Sequence, residues 1–219
     1  MARLLFTARS GGVSTLEYES FNLGDHVGDD SDLVAENRNL LQKLVSASQI
    51  QFMDQVHGNH VSLINQALNI APKADALITS EKDLALVVMV ADCLPILVSG
   101  QNVAAAIHVG RRGMASGVIK KTIAEIRNIS DGSLTAYIGP GICENCYEVD
   151  EATYKELVEK YPRSDAGYRK LNLRAESTKQ LQEMGVRVVN INICTMENEK
   201  YYSYRRDGKT GRQAGVIIL

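Results

Sequence analysis

Tryptophan is absent and only 5% of the 219 residues are aromatic, so aliphatic side chains must build the core. Charge of one sign is also lacking. The net value is −2, which gives no electrostatic reason to expect nucleic acid as a partner. Long apolar runs are missing too. The most apolar stretch, Leu84–Val98, is broken by Asp92 and Pro95 and is shorter than the roughly 18 residues a membrane helix needs. No stretch has the basic, apolar and small-residue layout of a signal peptide. Four cysteines without such a signal point to reduced thiols in a cytoplasmic protein. With no Pro-rich linker, repeat or low-complexity segment, residues 1–219 read as one domain.

What is present is a mixture of short strands and helices. Strands are expected at Arg3–Thr7, Ile50–Met53, Val61–Ile64, Leu84–Val90, Val103–Ile107, Leu134–Ile138, Val186–Ile193 and Gly215–Ile218. Leu33, Leu40, Leu41, Leu44 and Val45 give Ser31–Ala47 an apolar stripe at helical spacing. Further helices are expected over Met114–Ile129, from Asp150 to about Tyr161, and over Asn172–Met184, the last stopped by Gly185. Ala71–Thr79 reads as a loop. Several strands follow one another too closely for helical crossovers, so mixed or antiparallel sheets are expected in an α+β fold.

The chemistry-bearing residues gather around Ala91–Gly113. Cys93 follows one apolar strand and His108 another, and rigid strands can hold a thiol and an imidazole side by side. His57 lies in a Gly-bearing turn after a further strand. His57, Cys93 and His108 would form a three-ligand set with one open position, the arrangement of catalytic zinc. His60 is a rival ligand, and a buried thiol with a satisfied core histidine is the plain alternative. Gly110-Arg111-Arg112-Gly113 reads as a turn before a helix, suited to phosphate or carboxylate. The segment Tyr201–Arg206 could stack on and hold an anionic or aromatic ligand. Cys143 and Cys146 form a Cys-x-x-Cys that could bind metal or be redox-active. A structural zinc would need a second pair, and only the single Cys93 and Cys194 remain. The two are therefore read as reduced thiols, with Cys146 near the site and Cys143 incidental.

Several stretches, in order, resemble one family along nearly the whole chain. They are Phe6–Ser14, Ser20–Gly24, Gln55–Gly58, Ala91–Pro95, Ile138–Pro140, Cys146–Val149, Tyr202–Gly208 and Thr210–Arg212. The family is the bacterial laccase-domain or polyphenol oxidase family (YfiH or YlmD type, also called peptidoglycan editing factor), reclassified as purine nucleoside phosphorylases. The chain departs from it at Arg111, where the family carries a Trp in the pocket wall, and after Pro140. The resemblance implies zinc bound by His57, Cys93 and His108, the same three residues being catalytic. It implies a four-layer α/β/β/α sandwich, similar to the catalytic domain of a bacterial deamidating toxin with a Cys-His pair. It implies phosphorolysis of adenosine, inosine and methylthioadenosine, with adenosine deamination at the same site.

Arg112, together with Arg9 or Arg205, is expected to bind phosphate, and Asn22 is placed near the sugar by the resemblance alone. Expected partners are small molecules only, with neither nucleic acid nor membrane, for a monomer or homodimer. Three other functions compete. A multicopper oxidase needs many more than four histidines, although a single His2Cys site could hold copper. A metal-free Cys-His hydrolase acting in peptidoglycan precursor editing would use Cys93 as a nucleophile. A non-enzymatic metal-binding module would have no need of an open, arginine-lined position.

Overall fold

The computed structural model describes residues 2–219. Its elements run β1 (Arg3–Phe6), α1 (Ser31–Val45), β2 (Gln49–Gln51), β3 (Val61–Leu63), β4 (Ala76–Thr79), β5 (Leu84–Val90), β6 (Leu94–Gly100) and β7 (Val103–Val109). They continue α2 (Arg111–Ser116), α3 (Val118–Arg127), β8 (Thr135–Ile138), α4 (Glu151–Lys160), α5 (Leu173–Glu183), β9 (Arg187–Asn190), α6 (Tyr204–Asp207) and β10 (Gln213–Ile218). Among the described residues, no helix is long and apolar enough to cross a membrane.

Two mixed sheets form. One has four strands in the order β1-β10-β5-β2, the other six in the order β3-β4-β7-β6-β8-β9. The alternation of side chains along β5 explains the layering. Leu86 and Val88 point inward to meet Leu97, Ala104 and Ala106 of the second sheet. Val87 and Met89 point outward under Leu41 and Val45 of α1. On the far side, Ile119, Ile123 and Ile126 of α3 cover Ile96, Val98 and Ile107. The result is helix, sheet, sheet, helix, the four-layer α+β sandwich expected.

The α4 cap falls at Asp150, where the sequence signals it, whereas α1 is capped by Asp30 rather than by Ser31 or Asp32. The side chains of Asp30, Asp150 and Asn172 each accept a first-turn N–H. Elsewhere the sequence misleads. The expected helix over Met114–Ile129 is two helices, because Gly117 sits at φ 86° and its N–H turns back to the carbonyls of Gly113 and Met114. Arg111 and Arg112 already belong to the first of these helices rather than to a turn. The reading of Ala71–Thr79 as loop fails at Ala76–Thr79, which is the buried strand β4. His108 lies within β7, not beyond its end. The expected strand Val186–Ile193 shrinks to β9, a largely exposed edge.

β6 went unread because Pro95 looks like a breaker. Pro95 is the second residue of the strand, where a missing N–H is tolerated, and its carbonyl accepts from Gly139. Register then fixes which ends coincide. Leu94 pairs with Val109, Ala76 with Ile107, Ile96 with Ile138 and Gln213 with Val90. The chain crosses between the sheets four times, at 52–60, 80–83, 91–93 and 191–212. Three of those crossings gather at one end; only 80–83 lies at the other.

Candidate metal centre and its arginine-lined cleft

Each of the three crossings at that end delivers a piece of the site. Between β5 and β6 only Ala91, Asp92 and Cys93 span the two sheets. Asp92 makes so short a crossing by adopting φ 95°, a conformation that costs a non-glycine residue about 1–3 kcal/mol. The surroundings hold it there. Its carboxylate accepts from the Thr195 hydroxyl and the Arg205 N–H, both at 2.7 Å, and its carbonyl accepts from the Ile142 N–H at 2.8 Å. Cys93 is thereby fixed at the mouth of the inter-sheet core.

The crossing at 52–60 presents His57, itself at φ 58°. Gln55 clamps this loop to β5, exchanging two hydrogen bonds of 2.8 Å with the backbone of Met89. Asp75, fully buried just ahead of β4, ties His57 to His108. Its Oδ1 accepts from the His57 N–H and meets His108 Nδ1, both at 2.9 Å, while Oδ2 accepts from the Gly58 N–H at 2.6 Å. An ionised carboxylate only accepts, so Nδ1 carries a proton and Nε2 of His108 is the nitrogen that faces the site.

His57, Cys93 and His108 then converge. One ligand atom from each lies within 4.8 Å of the others, and the two imidazoles stand edge-to-face with centroids 4.6 Å apart. Gly110 closes over them with no side chain; a Cβ there would lie 3.1 Å from Cys93 Sγ and 3.3 Å from His57 Cδ2. Burial opposes a Cys93 thiolate, but the charge of His108 and hydrogen bonds from both histidines outweigh it and bring the thiol down to about 6. The same pairing, with help from Asp75, raises His108 against its burial. Two imidazoles and a ready thiolate, one imidazole oriented by a carboxylate, suit a tetrahedral zinc with one position open, and also suit copper. His60 lies outside the cluster.

A cleft of about 660 Å³ opens above these ligands. Four arginines line it: Arg111, Arg112, Arg205 and Arg212. Arg205 stacks over Tyr147, its Cζ 5.3 Å from the ring centre, and donates to the Glu148 carbonyl at 2.7 Å. Burial, then the Cys93 charge, pushes the Tyr147 phenol up to about 12, so it remains a donor at neutral pH. His26, which carried no assignment in the sequence, reaches the same wall.

Two expected substrate ligands are not in the cleft. Arg9 belongs to another surface hollow, where its Nε donates to the Glu19 carbonyl at 2.6 Å and its guanidinium covers Tyr202. Asn22 is fully buried. Its side chain bonds Asp29 and the backbone of Gly24, and its Oδ1 accepts from the Arg212 N–H at 2.9 Å. It acts on the cleft only by positioning Arg212. Asp75, Asp92, Tyr147 and Arg212 had no assigned role in the sequence. Asp75 is separated from its partners by 18 and 33 residues, and only the tendency of ligand histidines to engage a carboxylate hints at it.

A family model described as multi-copper polyphenol oxidoreductase laccase matches residues 3–219. The chain is 41% identical to a purine nucleoside phosphorylase of Corynebacterium glutamicum, over 99% of this chain and 94% of that one. It is 37% identical to one of Streptomyces coelicolor, over 98% and 94%. Among solved structures, a protein of Neisseria meningitidis superposes with a TM-score of 0.90 at 35% identity, covering 100% of this chain and 94% of that one. YlmD of Geobacillus stearothermophilus superposes with a TM-score of 0.89 at 27% identity, covering 99% and 91%.

Proposed function

Because the chain belongs to the multi-copper polyphenol oxidoreductase laccase family, we propose from that premise a cytoplasmic, zinc-dependent purine nucleoside phosphorylase. Adenosine, inosine and methylthioadenosine are its substrates, and adenosine deamination is a side reaction at the same site. The relatives named purine nucleoside phosphorylase support the reaction class. The observation that carries it is a His57-Cys93-His108 cluster at the floor of a cleft lined by four arginines. Four histidines, only two of which meet at this centre, do not provide the several copper sites of a laccase.

Phosphorolysis breaks the bond between purine and ribose while phosphate attacks C1′. The attacking dianion must be held in line and partly desolvated, and the ribose carbon develops positive charge. Arg112, Arg205 and Arg212 take the phosphate. The Tyr147 hydroxyl donates a hydrogen bond to a substrate oxygen. The base lies toward Cys93 and His57, with Arg111 as the wall that elsewhere in the family is a Trp. Zinc held by His57, Cys93 and His108 would supply a Lewis-acid charge and would lower the pKa of water, the requirement for deamination at C6. Asp75 holds the His108 proton on Nδ1, and Gly110 keeps the floor open.

Purified protein given adenosine and phosphate should release free base and ribose 1-phosphate in equal amounts. Cys93→Ser and His108→Ala should stop both. Free ribose in place of the ester would mean hydrolysis, and undiminished turnover in both variants would move the reaction elsewhere. The lowered Cys93 thiol also favours a second reading, a Cys-His hydrolase acting on peptidoglycan precursors. That enzyme would keep its activity after exhaustive chelation; the phosphorylase would lose it.

A further inference from the structure

Outside the cleft, two pairs of potential ligands face each other. Cys143 and Cys146 follow β8, and Cys194 and Glu197 follow β9, so both pairs have the same three-residue spacing. β8 and β9 are parallel neighbours and their extensions stay together: Ile191 N donates to Ile138 O, Gly141 N to Ile193 O and Thr195 N to Gly141 O. Each pair then closes a tight turn of the same kind. Tyr147 N donates to the Cys143 carbonyl at 3.0 Å, and Asn198 N to the Cys194 carbonyl at 3.2 Å. Cys-x-x-Cys alone looked like half a site because the sequence offers no second cysteine pair. The other half is Cys-x-x-Glu.

We infer that Cys143, Cys146, Cys194 and Glu197 form a second metal site, a closed four-coordinate structural zinc centre independent of the catalytic one. The four ligand atoms lie within 4.8 Å of one another. Thiolates about 2.3 Å from a tetrahedral zinc lie about 3.8 Å apart, so a small contraction completes the shell. Both Cys143 and Cys146 Sγ already approach Glu197 Oε1, at 3.7 and 3.3 Å. The Cys143 N–H donates to Cys194 Sγ at 3.4 Å and so ties the two turns together at the sulfur. Three thiolates and a carboxylate leave excess negative charge around a divalent ion. Arg174 borders the cluster to offset it and pins the end of β8 by donating to the carbonyls of Ile138 and Gly139.

The site's position gives it work. Tyr147 and Glu148, next to Cys146, form the cleft wall on which Arg205 rests. Thr195, next to Cys194, holds the Asp92 carboxylate. A zinc here staples the two loops that support the Cys93 crossing and the phosphate-binding wall.

Cobalt(II) titration of the Cys93→Ser variant tests the site without reference to catalysis. That variant keeps only Cys143, Cys146 and Cys194, so ultraviolet thiolate-to-cobalt charge transfer can come from nowhere else. The band should appear at one equivalent, and zinc should displace it and slow alkylation of all three thiols. In the same background Cys194→Ser should abolish tight binding. Glu197→Ala should weaken it at least about tenfold, since even partners behind a ligand are worth about 10–100-fold. No charge-transfer band, thiols alkylated equally fast with and without zinc, or a Cys143–Cys146 disulfide in freshly purified protein would each overturn the inference. None of these outcomes bears on phosphorolysis.

Discussion

Asp75→Asn probes the catalytic ligand set through a residue that touches no substrate. The carboxylate is fully buried and serves three donors, the N–H groups of His57 and Gly58 and Nδ1 of His108. An asparagine has one acceptor oxygen. Kept on Oδ1, it still serves His57 and His108, but its NH2 then faces the Gly58 N–H, donor against donor. A charge-assisted bond worth about 1.5–3 kcal/mol is lost and a buried donor is orphaned at about 1–3 kcal/mol. Partial relaxation should leave a destabilisation of about 3 kcal/mol. In a chain of this size that lowers Tm by about 6–12 °C, at about 2–4 °C per kcal/mol. Loss of the carboxylate charge behind His108 should weaken zinc binding by about 10–100-fold. Calorimetry and competition against a chromophoric chelator measure the two effects separately. An Asp75→Asn protein with wild-type Tm and wild-type zinc affinity would refute the claim that this carboxylate orders the ligands.

Arg112→Ala removes an exposed cation from the cleft and should raise the KM for phosphate about 10–100-fold, the worth of one charge-assisted hydrogen bond, with little change for nucleoside; equal effects on both substrates count against a phosphate role. Gly110→Ala suits the backbone, at φ −89°, so its effect should come from the 3.1 Å approach of the new methyl to Cys93 Sγ. Overpacking of about 1–3 kcal/mol falls on the ligands and should weaken zinc binding about tenfold with Tm nearly unchanged; a lower Tm with intact affinity would reverse that assignment. In metal-stripped protein, iodoacetamide should label Cys93 at a rate that levels off just above pH 6, because a lowered thiol is already thiolate at neutral pH. A rate still climbing at pH 9 would show that His108 does not stabilise the thiolate.

Where one local signal decides, the sequence was legible. Leu84–Val90 is buried on both faces and reads as a strand with no competing pattern. The caps at Asp150 and Asn172 are short-range chemistry, and so is the stop at Gly185. His57, Cys93 and His108 could be nominated because rare residue types follow apolar strands, and the order of the family's stretches added the four-layer arrangement. What stayed hidden was set at long range. β6 is masked by Pro95, whose missing N–H matters only once its place in the strand is known. Asp75 and Asp92 work through partners far off in sequence, and no spacing announces them. Arg9 sits in a family-like stretch, yet its guanidinium is committed to Glu19 and Tyr202. The Cys143 pair looked incidental because its complement includes a glutamate.

The gathering of three sheet crossings at one end has a mechanical consequence. A sandwich sewn along one edge and held by a single stitch at the other opens from the loosely held edge, where Thr79 turns through 80–83 into Leu84. Thermal breathing there parts Leu84 of one sheet from Ala104 of the other and leaves the ligand end closed, because Cys93, His57 and the segment carrying Arg205 are themselves the thread. Hydrogen exchange should therefore be graded along each strand, slowest toward Val90 and Val109. The protein can loosen at its far edge and still keep its catalytic ligands in register.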